Sequence, residues 1–130
     1  YPRPPDDPWG DRIGMANLAA VWRNGFEAGA RNLVVATVVE NASFPTALRA
    51  AVPGADVTVF QLSASVATLQ ARVRKREIGS GLDWHVDRAA ELAAILASET
   101  VPCDFRIVTD DRSVGDIATA IHAHMAWRPA

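Results

Sequence analysis

The chain has 130 residues, 49% hydrophobic and 22% charged, a profile that supplies one globular domain with a core. A formal net charge of -2 argues against general binding to nucleic-acid polyanions. A single cysteine, Cys103, excludes an internal disulfide and any zinc site built mainly from Cys, and it fits a reducing cytoplasm.

No apolar run approaches a membrane span, and no signal peptide is visible. The opening Tyr1 to Gly10 (YPRPPDDPWG) is too rich in proline for regular helix or central strand. Asp11 is the expected N-cap of a helix running to about Ala28, with Met15, Leu18, Trp22 and Phe26 at helical spacing. Leu33 to Val39 (LVVATVV) is apolar without alternation, as expected for a parallel strand buried on both faces. Phe44 to Val52 reads as a short helix ended by Pro53-Gly54. Asp56 to Leu62 (DVTVFQL) reads as a second buried strand.

Ser65 then caps a helix through about Glu77, which Gly79-Ser80-Gly81 breaks. A helix from Trp84 or His85 to Ser98 follows, then a third strand, Phe105 to Val108. Ser113 opens the last helix in a capping box with Asp116, running to about Trp127. Strands alternating with helices predict an α/β domain with a parallel sheet covered on both faces.

The run ARVRKREIGSGLDWH, Ala71 to His85, joins a cationic helix end, a Gly/Ser hinge and an aromatic-acidic restart. Arg72 and Arg76, four apart, share one helix face. A guanidinium offers phosphate two parallel hydrogen bonds and stays charged. The plainer reading is a solvated basic helix end favoured by the helix dipole. Asp83 suits a helix cap, and His85 either an exposed position or a phosphate contact. His122 and His124, two apart in one helix, do not form a metal pair. No G-x-x-x-x-G-K-[ST] loop is present in the sequence.

Five blocks in order carry a resemblance: YPRPPDDP with Asp11, Arg12, Asn17 and Leu18; AGARNLVVATVV; VFQLSASVATLQARVRKRE; GSGLDWHVDRAAEL; and VTDDRSVGDIATAI. Together they resemble the P-loop small-molecule kinases, in particular adenylylsulfate kinase-like proteins, C-terminal to the P-loop. The resemblance implies a three-layer α/β/α fold that lacks here its first strands and Walker A loop. It implies one domain over residues 1–130, N-terminally incomplete, with a lid at about 72–85. The absence of an initiator Met before Tyr1 gives the same expectation of a piece of something longer.

The activity implied is phosphoryl transfer from ATP and Mg²⁺ to a small acceptor, in the cytoplasm, with no nucleic-acid or membrane partner. Arg72 and Arg76 would be the catalytic lid arginines. Arg112 and Ser113 would lie at the nucleotide edge, and Arg12 and Asn17 at the acceptor. No metal ligand is assigned within the chain, and these residues alone are expected not to turn over. The plain reading of Arg112 and Ser113 is a solvated cation beside a helix cap. For Arg12, Asn17, Arg3, Asp6 and Asp7 it is a surface loop and helix start. Glu40 and Asn41 stand where an acceptor-site residue fits.

In this topology the first strand lies between the strands at Leu33–Val39 and Val57–Leu62. Its absence would leave ladders of unpaired backbone groups at about 1–3 kcal/mol each. An N-terminal segment or a second chain is therefore expected to complete the sheet, ahead of a changed fold in which those strands pair directly. The alternative function is a non-catalytic nucleotide-binding or protein-interaction module.

Overall fold

The computed structural model describes residues 4–98 and 100–125. Arg3 and the expected helix end at Trp127 lie outside the described residues. The order is α1 (Asp11–Glu27), α2 (Ser43–Ala51), β1 (Phe60–Ser63), α3 (Val66–Arg76), α4 (Leu82–Ala97), β2 (Phe105–Val108) and α5 (Val114–Ala123). The fold is α/β, with five helices and a two-stranded parallel sheet among the described residues.

The chain divides into two compact units. Of the described residues, the first takes 4–38 and 43–57, and the second takes Val39–Ala42 and Thr58–Met125. In the first unit α1 packs on α2. Asp11 is the first helical residue of α1, where the sequence suggested the cap. Gly10 holds the cap position at φ 75°, a conformation open to glycine. The capping carboxylate comes instead from the preceding turn, where Asp7 accepts the Arg12 N–H at 3.4 Å. Trp22 donates its indole N–H to the Pro53 carbonyl at 3.3 Å, tying α1 to the end of α2. Pro45, Ala51 and Val52 are buried here.

Leu33 to Val39 forms no strand. Val34 is 75% exposed on one side and Val35 41% exposed on the other, so the run is buried on neither face. A strand exists only by pairing its backbone groups, and among the described residues no ladder partner runs beside this segment.

In the second unit β1 and β2 pair in parallel, Phe60 opposite Phe105 through Ser63 opposite Val108. β1 is shorter than the expected Asp56–Leu62 because its partner spans four residues. Before the ladder begins, the Asp104 carboxylate takes the Val59 N–H at 2.7 Å. Phe60 stacks on Phe105, centroids 5.2 Å apart, and Phe105 on His124 at 4.3 Å. Among the described residues, Val86, Val101 and Ile107 are the buried apolar residues of this unit.

The connection from β1 to β2 is a helical hairpin in which α3 and α4 pack together. Ser65 caps α3, its Oγ accepting the Thr68 N–H at 3.2 Å. Gly79 turns the chain at φ 114°, a backbone region that costs an L side chain strain. α4 starts at Leu82, earlier than expected, because the Gly81 carbonyl already accepts the His85 N–H at 3.1 Å. Asp83 therefore lies inside the first turn, where its charge suits the helix dipole, and is not the cap.

Candidate functional site

In open parallel sheets the ligand crevice lies beyond the carboxyl ends of the strands. At those ends of β1 and β2 the chain builds a polar cluster from Ser63, Ser65, Thr68, Arg72, Thr109 and Asp110. The Ser65 N–H donates to both Asp110 carboxylate oxygens at 3.1 and 3.0 Å. The Ser65 hydroxyl donates to Thr68 Oγ1 at 2.9 Å, and the Thr68 hydroxyl donates to Asp110 Oδ1 at 2.6 Å. The Thr68 hydroxyl, and after it Ser65, holds the Asp110 carboxyl below the usual carboxylate range.

Thr109 is the buried centre of the cluster, 4% exposed. Its N–H and hydroxyl donate to the Ser63 carbonyl at 2.8 and 2.9 Å. Arg72 Nη1 donates to Thr109 Oγ1 at 2.9 Å, and Nη2 to the Thr109 carbonyl at 2.7 Å. The guanidinium thus ties α3 to the end of β2 with a two-pronged grip. Arg72 lies at the strand ends with its fork occupied by the Thr109 hydroxyl and carbonyl.

Arg76 ends α3 with its side chain 71% exposed, and its Nε donates to Glu77 at 3.0 Å. Arg112 Nη2 donates to the Asp116 carbonyl at 3.1 Å. Ser113 forms the expected capping box with Asp116, whose N–H it accepts at 3.1 Å. The Ser113 hydroxyl and N–H hold the Asp116 carboxyl below its ordinary range. Arg72 and the Asp110–Ser113 loop therefore meet at the carboxyl end of β2.

Arg12 and Asn17 belong to α1 in the first unit. Arg12 Nη1 pairs with Asp6 at 3.0 Å, both side chains largely exposed, and Asn17 is exposed. Trp84 is 58% exposed and edge-on to the half-buried His85, centroids 4.8 Å apart. The Cys103 thiol lies 3.5 Å from the Gln61 side-chain oxygen Oε1, and Gln61 Nε2 donates to the Leu96 carbonyl at 2.9 Å. This is a structural role for the lone thiol.

Sequence reasoning missed Thr68, Thr109 and Arg88. Arg88 pairs with Glu91 at 2.7 Å and with Glu40. The two carboxylates, Glu91 first, raise its guanidinium above its ordinary value. The Glu91 contact was visible as an i,i+3 spacing, whereas nothing local announces Glu40 as its partner. Thr68 stands at the N3 position after a Ser cap, where an acidic or amide residue would have drawn notice.

Both oxygens of Asp110 are engaged by Ser65 and Thr68. Among the described residues no group of three His, Cys, Asp or Glu is placed to hold a metal ion. The exposed guanidiniums of Arg76 and Arg112 have the chemistry that suits phosphate. Among the described residues no helix is long and apolar enough to cross a membrane. No protein-family model, no curated protein and no solved structure matches the chain.

Proposed function

We propose that this chain is the lid-bearing part of an ATP-dependent small-molecule kinase of the adenylylsulfate kinase-like type. The observation that carries the reading is the hairpin of α3 and α4. It joins two directly adjacent parallel strands, ends its first helix in Arg74, Lys75 and Arg76, and turns at a glycine. Such a basic hairpin beside the strand ends is suited to closing over phosphate and excluding water. In the P-loop kinase-like sheet these two strands are neighbours, and the strand before them lies beside the strand of the phosphate loop rather than beside either of them. An apolar but unladdered Leu33–Val39 fits that arrangement. The full sheet would then be five-stranded in a three-layer α/β/α domain, completed by an N-terminal segment or second chain.

In this reading Arg76 binds the phosphoryl group in flight and Arg112 stacks on the base. Ser113 fixes the loop that carries Arg112. Arg72 is a positioning residue, holding α3 on Thr109. The phosphate-gripping lysine and the Mg²⁺ ligands come from outside these residues, and ATP-dependent work of this kind belongs in the cytoplasm. The acceptor is a small molecule.

Titration of the ¹⁵N-labelled chain with Mg-ATP tests the reading. Weak binding is expected, with a dissociation constant of about 1 mM, because only the lid and base edge are present. Amide shifts should concentrate at Arg76, Arg112 and Ser113, vanish in Arg112→Ala and persist in Lys75→Ala. No shift at about 10 mM ATP, or equal losses in both variants, rejects it. A second reading, a non-catalytic interaction module, draws on the exposure of Leu33–Val39 and on Arg72 being occupied within the fold. That reading is the one favoured by a failed titration.

A further inference from the structure

Residues 109–113 join β2 to α5, and this short stretch is held at both ends. At the far end the Ser113 N–H and hydroxyl donate to the Asp116 carboxylate at 3.2 and 2.7 Å. At the near end Arg72 grips Thr109, and the start of α3 takes up the Asp110 carboxylate. Arg112 lies between these anchors. The residue that links it to Asp110 is Asp111, at φ 53°, a conformation that few residues with a side chain adopt. Such a conformation persists where the surroundings dictate it.

The cap of α3 is completed by this loop. In a capping box the residue three after the cap reaches back to the cap's own N–H. Here Asp110 takes the Ser65 N–H, and Thr68, the residue three after the cap, donates to Asp110 as well. The Thr68 hydroxyl carries one proton. The Ser65 hydroxyl donates to its oxygen at 2.9 Å, so the Thr68 proton is committed to Asp110 Oδ1 at 2.6 Å. That length falls in the range of about 2.5–2.7 Å for a hydroxyl on a carboxylate, one of the stronger classes of hydrogen bond. Capping itself does not require this hydroxyl, because Ser65 Oγ accepts the backbone N–H of residue 68 at 3.2 Å. The hydroxyl thus acts beyond its own helix, on a residue 42 positions away.

We propose that Thr68 is a positioning residue for Arg112, fixing through Asp110 the loop on which Arg112 stands. The nucleotide that Arg112 meets rests on the kinase reading, whereas the positioning does not.

The test uses the ¹⁵N-labelled full chain and the variants Thr68→Val, Thr68→Ser and Asp110→Ala. Valine keeps the shape of threonine and removes the hydroxyl. Without ligand, the Asp111 and Arg112 amides of the parent chain are expected to be rigid, with order parameters of about 0.85. They should fall below about 0.6 in Thr68→Val and in Asp110→Ala. Thr68→Ser, which retains the hydroxyl, should restore them. A role confined to capping α3 would loosen its first turn and leave Arg112 as ordered as before. Mobile Asp111 and Arg112 amides in the parent, unchanged order in either loss variant, or no recovery in Thr68→Ser each overturns the proposal. Should Thr68→Val fail to fold, Asp110→Ala, which keeps the Ser65–Thr68 contacts, decides. With Mg-ATP added, the dissociation constant should rise at least about threefold in Thr68→Val, because only the ordered fraction binds. An unchanged constant there also overturns it. Absence of ATP binding to the parent chain rejects the kinase reading alone, and the ligand-free measurement still decides the role of Thr68.

Discussion

Two arginines one helical turn apart have different work. Arg72 places two nitrogens on two oxygens of Thr109, a residue with almost no solvent access. Arg76 touches only the neighbouring Glu77 from a largely exposed side chain. A lysine ammonium lacks the planar fork and cannot make both bonds of Arg72 in one geometry. Arg72→Lys is therefore expected to cost about 1 kcal/mol, the net worth of one hydrogen bond. Arg76→Ala is expected to stay within about 0.5 kcal/mol, as exposed ion pairs do. Urea unfolding of both variants measures this. Equal destabilisation would remove the distinction between an arginine that holds the fold and one left available for a ligand.

At the scale of elements, α3 and α5 are both anchored at their N-termini by carboxylates. Asp110 accepts from Ser65, the cap of α3, and Asp116 from Ser113, the cap of α5. Both carboxyls lie below their ordinary range because hydrogen bonds favour the ionised form, from Thr68 and then Ser65 on Asp110 and from Ser113 on Asp116. Their stabilisation is fully present above the unfolded-state value of about 3.9. It is lost as the pH falls through the lower folded-state values. The melting temperature should fall steeply below about pH 4. It should fall less steeply in the Asp110→Asn, Asp116→Asn double variant. Parallel curves would show that neither carboxylate carries the acid sensitivity. The same two helix starts explain what was legible in the sequence. Ser65 and Ser113 declare themselves within four residues, and both caps stand where the sequence put them. The cap of α1 misled because Asp7 does the capping from four residues before Asp11, across a turn that no spacing rule describes. The Arg72–Thr109 grip was invisible for a similar reason, since it depends on where β2 ends beside α3.

On the scale of the whole molecule, the segment Leu33 to Val39 separates two meanings of hydrophobicity. Its composition says that burial would be favourable, but composition cannot say against what. A parallel strand is made by a neighbour that is distant in sequence, so the apolar run was readable and the missing ladder was not. Within this chain Val34 is 75% exposed, and its transfer from water contributes little to folding. Val34→Lys is thus expected to change stability by no more than about 0.5 kcal/mol. Ile107, 7% exposed at the centre of β2, provides the contrast. Ile107→Ala should cost about 2–5 kcal/mol through lost transfer energy and a cavity. The net stability of a whole domain is about 5–15 kcal/mol, so that loss is enough to threaten folding. Denaturant titrations of the two variants decide the matter. A large loss from Val34→Lys would mean that the segment is laddered and buried in solution. A negligible loss, with Ile107→Ala severe, would mean that the apolar run contributes nothing to this chain's own stability, and that its apolar character serves contacts made beyond it.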